Sequence, residues 1–363
     1  MYGFEPTDEQ KMLIDTVQKY ATKELREAAH DADEAGGFPP EILRHGWELG
    51  VLQASVPEAY GGFGERSAVT GVLAAEELAW GDLAGAMAIM MPGAFALAVL
   101  VAGTEEQRKQ WLPGIVEADW KPFVPAITEP QFDFGLDDLR TTAERQNGGY
   151  VLNGEKCMVP FADTAEAFLV FARLDDRPQA FIVPRGADGL TVGDRDYYLG
   201  LGALPTHKLQ LQKVKVPTAD RLGGEDGFDP APLAAAGNTA AAALAVGMSR
   251  ASYQYALAYA KDREVFDVPI AQKQSIAFGL AEMAIEIEAI RLLVWEAAWR
   301  LDAGLDAAKE AYLALTGAAD MAMMVTDRAV QYLGGHGYIR EHPVERWMRN
   351  GRGVALFSGL AMV

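Results

Sequence analysis

The spacing of apolar positions along the 363-residue chain changes twice. In "PTDEQKMLIDTVQKYATKELREAAH", Met12, Leu13, Val17 and Tyr20 recur at helical spacing behind a Thr7 and Gln10 capping signal. That spacing persists to about residue 119, interrupted at Pro57, Gly61, Gly62 and Gly64. From 120 to 225 the runs shorten: "GGYVLNGEKCMVP", "AEAFLVFARL", "QAFIVPRG", "GLTVGDRDYYLGL" and "HKLQLQKVKVP" read as strands parted by Gly, Pro, Asp or Asn, with no helices between them. From 226 to 363 long amphipathic stretches return, three with short connections and a fourth after Pro343. The expected class is α+β: an N-terminal helical domain over 1–119, a middle antiparallel β-barrel or sandwich over 120–225, and a C-terminal four-helix bundle over 226–363.

One stretch, 83–103, carries no charge and is long enough to span a bilayer. Its Pro92-Gly93 centre and its lack of basic or aromatic anchors predict instead two buried helices joined at that break, with no membrane span. Met87, Met90 and Met91 would line an adaptable apolar wall there.

Charge narrows the partners: 32 Lys plus Arg against 51 Asp plus Glu leave a net charge of -19, which argues against nucleic acid. Cys157 is the single cysteine, so an internal disulfide cannot form, and a reducing cytoplasm is expected. The opening "MYGFEPTDEQ" shows no export signal. The five histidines lack metal-ligand spacing, and neither a nucleophile elbow nor a nucleotide-binding glycine loop is present.

Four clusters remain: "PAITEPQFDFGLDDLRTTAE", "YVLNGEKCMVPFADTAEAFLVFAR", "AKDREVFDVPIAQKQSIAF" and "RAVQYLGGHGYIREHPVERWMRN". The third sets Arg263 and Phe266 one turn apart at a helix end, with Gln274 opening the next helix. The fourth sets Gln331 before "GGHGY", where glycines admit a ligand close to the backbone. A guanidinium, a ring, two amides and exposed backbone could cradle a pyrophosphate and an adenine. Helix-end arginines are as readily ion-paired, and glycines after a helix are commonly caps.

In this order and across the whole chain, the clusters resemble the acyl-CoA dehydrogenase family: "TEP" with "TTA", "YVLNGEK", R-x-x-F with PI-x-x-x-Q, and Q-x-x-GG-x-GY with "PVER". The resemblance implies an FAD flavoprotein, dimeric or a dimer of dimers, acting on acyl-CoA thioesters. It further implies that electrons pass to an electron-transfer flavoprotein or another acceptor.

The chain departs from the family where the chemistry is done. The family's glutamate base precedes a glycine in a short aromatic-Glu-Gly-Thr stretch, and here Ser358 stands at that place. Other members carry the base on a helix about 26 residues before the equivalent of Arg263, which is Gly237 here; the adjoining Arg position is Asn238. Both base positions are therefore without a base, and the resemblance assigns no catalytic residue. After "TEP" the family's Gly-x-Gly-Ser-Asp is replaced by Gln131, Phe132, Asp133, Phe134 and Gly135, whose two rings are expected to fill the pocket. After "GEK" its Trp-Ile-Thr is replaced by Met158, Val159 and Pro160, and proline has no amide hydrogen to donate.

In the family's dimer, the elements matching Arg263, Phe266, Gln274, Gln331, Gly334 and Gly335 reach the neighbouring subunit's FAD, while "TEP" and "GEK" hold the subunit's own flavin. The donated half is kept and the chain's own half is altered. This resembles the non-catalytic subunit of heterotetrameric α2β2 acyl-CoA dehydrogenases of steroid side-chain degradation, with FAD at the interface with a catalytic paralogue. Two other readings stay open: a homo-oligomeric flavoprotein with base-independent chemistry, and a flavin-free scaffold. Among lesser features, Glu345 with Arg346 reads as a structural ion pair, His336 as a turn residue and Cys157 as a packed strand position.

Overall fold

The computed structural model describes residues 5–117, 119–132 and 134–363; Asp133 and the first four residues of the opening stretch lie outside them. The N-terminal helices are α1 (Asp8–Tyr20), α2 (Arg26–Ala35), α3 (Pro40–Glu48), α4 (Ala68–Gly81), α5 (Leu83–Ala102) and α6 (Glu105–Ile115). A π-type turn at Ala21–Leu25 joins the first two. Thr7 and Gln10 do form a capping box at α1, and Thr104 with Gln107 repeats it at α6.

The expected break at Pro92-Gly93 does not occur: α5 runs unbroken through Pro92. A proline inside a helix leaves the carbonyl four residues back without its N–H partner. Here that carbonyl belongs to Ala88, and the Trp120 indole N–H donates to it at 3.1 Å. The real corner is Asp82, whose extended backbone ends α4 and whose carboxylate accepts from Gly85 N at 3.0 Å to start α5. Leu83–Ala102 and Ala231–Asp262 are each long and apolar enough to cross a membrane, and both are mostly buried within the protein.

The middle of the chain forms a seven-stranded sheet: β1 (Phe123–Ala126), β2 (Thr142–Gln146), β3 (Gly149–Pro160), β4 (Ala167–Leu174), β5 (Arg177–Pro184), β6 (Leu190–Asp196) and β7 (Thr206–Pro217). Its order is β1-β4-β2-β3-β7-β6, with β5 paired to β4. Two strands escaped the sequence pattern, β1 because four residues carry little periodicity and β2 because it is polar on most positions. The sheet is also not wholly antiparallel, since β1 and β2 both run parallel to β4.

The remaining helices are α7 (Ala231–Asp262), α8 (Gln274–Asp302), α9 (Ala308–Leu333) and the short α10 (Val344–Gly351). Alanine and glycine dominate the buried face of α7. Small side chains let backbones approach closely, so α4 joins α7, α8 and α9 in one apolar core. Glu76 of α4 is buried in that core and accepts from Arg291 and Trp295 of α8, tying the first helices to the last.

Candidate functional site

Strand β3 and the segment before β2 are locked together by a buried ion pair. Lys156 Nζ lies 2.8 Å from Glu129 Oε1 and also donates to Ile127 O at 3.0 Å. The Glu129 carboxylate further accepts from the amides of Arg140 and Thr141. Burial pulls Lys156 down to about 8. Burial alone would raise Glu129, but Lys156 and the hydrogen bonds of Thr141 and Arg140 outweigh it and hold the carboxyl below its ordinary range. The pair thus fixes "TEP" against "GEK" and leaves neither charge free for chemistry.

Beyond Lys156 the strand bulges, Met158 takes the left-handed conformation at φ 56°, and Val159 and Pro160 rejoin β7 opposite His207 and Thr206. The neighbouring amides are already engaged: Cys157 N donates to Thr128 O and Phe161 N to Pro205 O. Phe132 corrects an expectation, since it is 100% exposed and fills nothing, while Phe134 is half-buried against an apolar cluster.

The segments that carry Ser358 and Gly237, where the resemblance expects a base, pack against each other. Gly237 on α7 packs so closely on Gly359 that a Cβ there would lie 2.9 Å from Gly359 Cα. Gly359 itself needs φ +86°, a backbone conformation open to glycine. Next to them the Ser358 hydroxyl donates to Asn238 Oδ1 at 2.6 Å. Among the described residues neither position offers an acid or a base. The chain then turns inward, and residues 360–363 are all at most 5% exposed. Met362 shares an apolar cluster with Trp47 and Leu97 on one side and Leu233 and Ala236 on the other. Burying Leu360, Met362 and Val363 contributes about 1.5–3 kcal/mol each. The run of uncharged residues after Gly359 was the available sequence signal for this inward turn.

The other six residues singled out in the sequence gather at one end of the helical bundle, where α7 ends, α8 begins and α9 ends. Arg263 is the C-cap of α7, and its side chain has no partner among the described residues. Phe266 stands 87% exposed with φ +57°, and the Lys273 ammonium lies 5.7 Å from its ring centre. Gln274 opens α8 without a side-chain cap, and Gln331, Gly334 and Gly335 are exposed at the end of α9. Two α7 tyrosines, missed in the sequence, hold the following loop: Tyr259 OH lies 2.7 Å from His336 Nδ1, and Tyr255 OH lies 2.7 Å from His342 Nδ1. His336 does sit in a turn, the 3-10 segment Gly334–Tyr338, and Tyr259 pins it there.

Glu345 and Arg346 do not pair with each other. Glu345 bonds Arg349 at 2.7 Å, and Arg346 turns to buried Asp82 at 3.6 Å, because side chains one apart on a helix point in different directions.

Comparison with known proteins now decides the family. Family models match in chain order: the acyl-CoA dehydrogenase N-terminal domain over residues 7–119, the middle domain over 125–214 and the C-terminal domain over 235–361. The chain belongs to the acyl-CoA dehydrogenase family. An acyl-CoA dehydrogenase of Bacillus subtilis (strain 168) is 35% identical over 97% of this chain and 95% of its own length. Butyryl-CoA dehydrogenase from Megasphaera elsdenii superposes with a TM-score of 0.89 at 32% identity, covering 99% of this chain and 96% of that one. A glutaryl-CoA dehydrogenase from Mycobacterium smegmatis in complex with FADH2 superposes with a TM-score of 0.87 at 27% identity, covering 97% and 91%.

FAD is the family's cofactor, and flavin oxidoreduction of CH-CH bonds is its chemistry. The two faces of this chain fit that cofactor unequally. The exposed end of the bundle presents a free guanidinium, a ring, two amides and open backbone at Gly334 and Gly335, where an added Cβ would meet nothing. That donor set fits a dinucleotide. Where β3 bulges, Pro160 has no amide hydrogen and the amides of Cys157 and Phe161 are already bonded, so this stretch fits a flavin of the chain's own less well.

Proposed function

We propose that this chain is the non-catalytic subunit of a heteromeric acyl-CoA dehydrogenase, completing the FAD cleft of a catalytic paralogue that dehydrogenates an acyl-CoA thioester. The observation that supports the reading is the contact of Gly237 with Gly359 beside the Ser358 and Asn238 hydrogen bond: the segments carrying the two expected base positions pack together with neither a carboxylate nor an imidazole at either position. Positioned base catalysis is worth roughly two to four orders of magnitude, so the reaction would depend on a partner's carboxylate. Arg263, Phe266, Gln274, Gln331, Gly334 and Gly335 form the donated face, with FAD at the subunit interface and Arg263 available to a phosphate. On this reading the three domains divide near residues 119 and 225, and the complex works in the cytoplasm and passes its electrons to an electron-transfer flavoprotein or another acceptor. A steroid side chain as the acyl group is supported by the resemblance to two-gene relatives alone.

The test is to purify the chain alone and then with each acyl-CoA dehydrogenase paralogue encoded beside it, recording visible spectra and masses. A colourless chain alone and a yellow complex with one flavin per heterodimeric pair are expected. A yellow homo-oligomer with full flavin occupancy would overturn the proposal in favour of base-independent chemistry. A chain that stays colourless with every partner would leave a scaffold role.

A further inference from the structure

The fold brings together two histidines whose spacing in the sequence gives no sign of a pair. His336 lies in the 3-10 segment Gly334–Tyr338 and His342 just ahead of α10, yet their ring centres are 5.4 Å apart, with the planes inclined at 47°. Gly337 permits the close course of the chain between them, since a Cβ there would run into Val330 O.

Helix α7 grips both rings from one side. Tyr255 and Tyr259 stand one turn apart on that helix, and their hydroxyls lie 2.7 Å from His342 Nδ1 and His336 Nδ1 respectively. Each Nδ1 is therefore turned toward α7, and each Nε2, on the far side of its ring, turns away from it. Neither Nε2 has a hydrogen-bond partner among the described residues. A tyrosine hydroxyl can accept from Nδ1–H, which leaves the imidazole neutral with its lone pair on Nε2. The tyrosines are themselves held by packing. Tyr255 meets the buried Trp347 edge-on at 5.9 Å, and Tyr259 meets His336 and His342 edge-on at 5.9 and 6.3 Å.

Two neutral imidazoles with Nδ1 tethered and Nε2 free are what a nitrogen-preferring divalent ion requires, the tether fixing both tautomer and ring direction. With a metal–nitrogen bond of about 2.0–2.1 Å and a tetrahedral angle, the centres of two imidazoles on one ion lie about 5 Å apart. The observed 5.4 Å fits that separation. Among the described residues no third His, Cys, Asp or Glu completes a protein-only set, so the remaining positions go to water.

We propose that His336 and His342 form a two-ligand, solvent-open site for a divalent late transition-metal ion, Cu(II) or Zn(II), with Tyr255 and Tyr259 as positioning residues. An ion there clips together the two ends of the loop between α9 and α10. The site rests on this chain's own histidines and tyrosines and needs neither flavin nor a partner subunit.

The test titrates the purified, metal-stripped chain with CuCl2 and ZnCl2 in a non-coordinating buffer by calorimetry. One Cu(II) per chain is expected, bound more tightly than Zn(II), and pulsed EPR of the copper form should show two coordinated imidazoles. His336→Ala and His342→Ala should each weaken Cu(II) binding at least ten-fold. His45→Ala should leave it unchanged, because that ring is paired with Glu24 elsewhere on the surface. Tyr255→Phe with Tyr259→Phe keeps the ring packing and both ligands, so two imidazoles should still be seen while affinity falls about ten-fold. The EPR count uses the unmodified chain and so decides the matter even if a variant fails to fold. The proposal is overturned if fewer than two imidazoles are coordinated, or if either histidine can be removed from a folded chain without loss of affinity. The positioning role is overturned if the tyrosine pair can be changed without effect. Flavin occupancy enters none of these measurements, so their failure is distinct from failure of the subunit role.

Discussion

Ser358 Oγ donates to Asn238 Oδ1 at 2.6 Å, so the residue standing for the family's base is bound to the residue standing beside its alternative base. The hydroxyl donates its proton to an amide oxygen, and among the described residues it bonds no group that could activate it. Ser358→Ala should cost about 1 kcal/mol by thermal unfolding. On the proposed subunit role, Ser358→Glu should not confer acyl-CoA-dependent reduction of a dye acceptor on the chain alone, because Pro160 still lacks an amide hydrogen for a flavin of the chain's own. Turnover by that variant would show that a missing carboxylate was the only defect.

The Lys156 and Glu129 pair predicts a distinctive response to pH. The folded Lys156 titrates at about 8, below its usual 10.5. Between these values the unfolded chain keeps a proton that the folded chain has released. Stability attributable to Lys156 must therefore rise from pH 8 to 10.5, and Lys156→Met should flatten that rise in urea titrations. For Glu129, held below its ordinary range, the sign is the usual carboxylate one: its contribution is present above the unfolded pKa and lost as pH falls through the folded one.

Removing one member of the same pair should be worse than removing both. Glu129→Gln leaves a buried ammonium without a counter-charge and is expected to cost about 3–5 kcal/mol. The double variant with Lys156→Met should cost clearly less than the sum of the single changes, as a double-mutant cycle would measure.

Trp120 and Pro92 form a second coupled pair. Trp120→Phe leaves the Ala88 carbonyl buried without a donor and should cost about 1–3 kcal/mol. In a Pro92→Ala background the restored amide can serve that carbonyl, and the cost of Trp120→Phe should shrink. Equal costs in both backgrounds would remove the explanation given for the unbroken helix.

Arg263→Ala combined with Gln331→Ala alters only exposed side chains. The melting of the isolated chain should move by no more than about 0.5 kcal/mol in stability. In the complex with its paralogue, the same pair of changes should lower bound flavin at least ten-fold, read from the visible spectrum. Undiminished colour would place the dinucleotide elsewhere.

The sequence alone determined the α+β class, the three-part order of helices, strands and helices, and the presence of Arg263, Phe266, Gln274, Gln331, Gly334 and Gly335 in a family pattern. These are carried by local spacing, caps and short motifs, which act over a few residues. It also showed that Ser358 and Gly237 are not bases, since side-chain chemistry needs no fold to be read. Tertiary structure decided the rest. Pro92 reads as a break from its neighbours, and only Trp120, 28 residues away, supplies the bond that keeps α5 whole. Phe132 reads as a pocket filler by its size, yet its loop carries it into solvent. Residues 360–363 show no periodicity by themselves, and their inward course depends on Gly71, Gly237 and Arg66, which lie more than a hundred residues earlier in the chain. Such contacts arise when distant segments share one core, and no local pattern records which segments will meet.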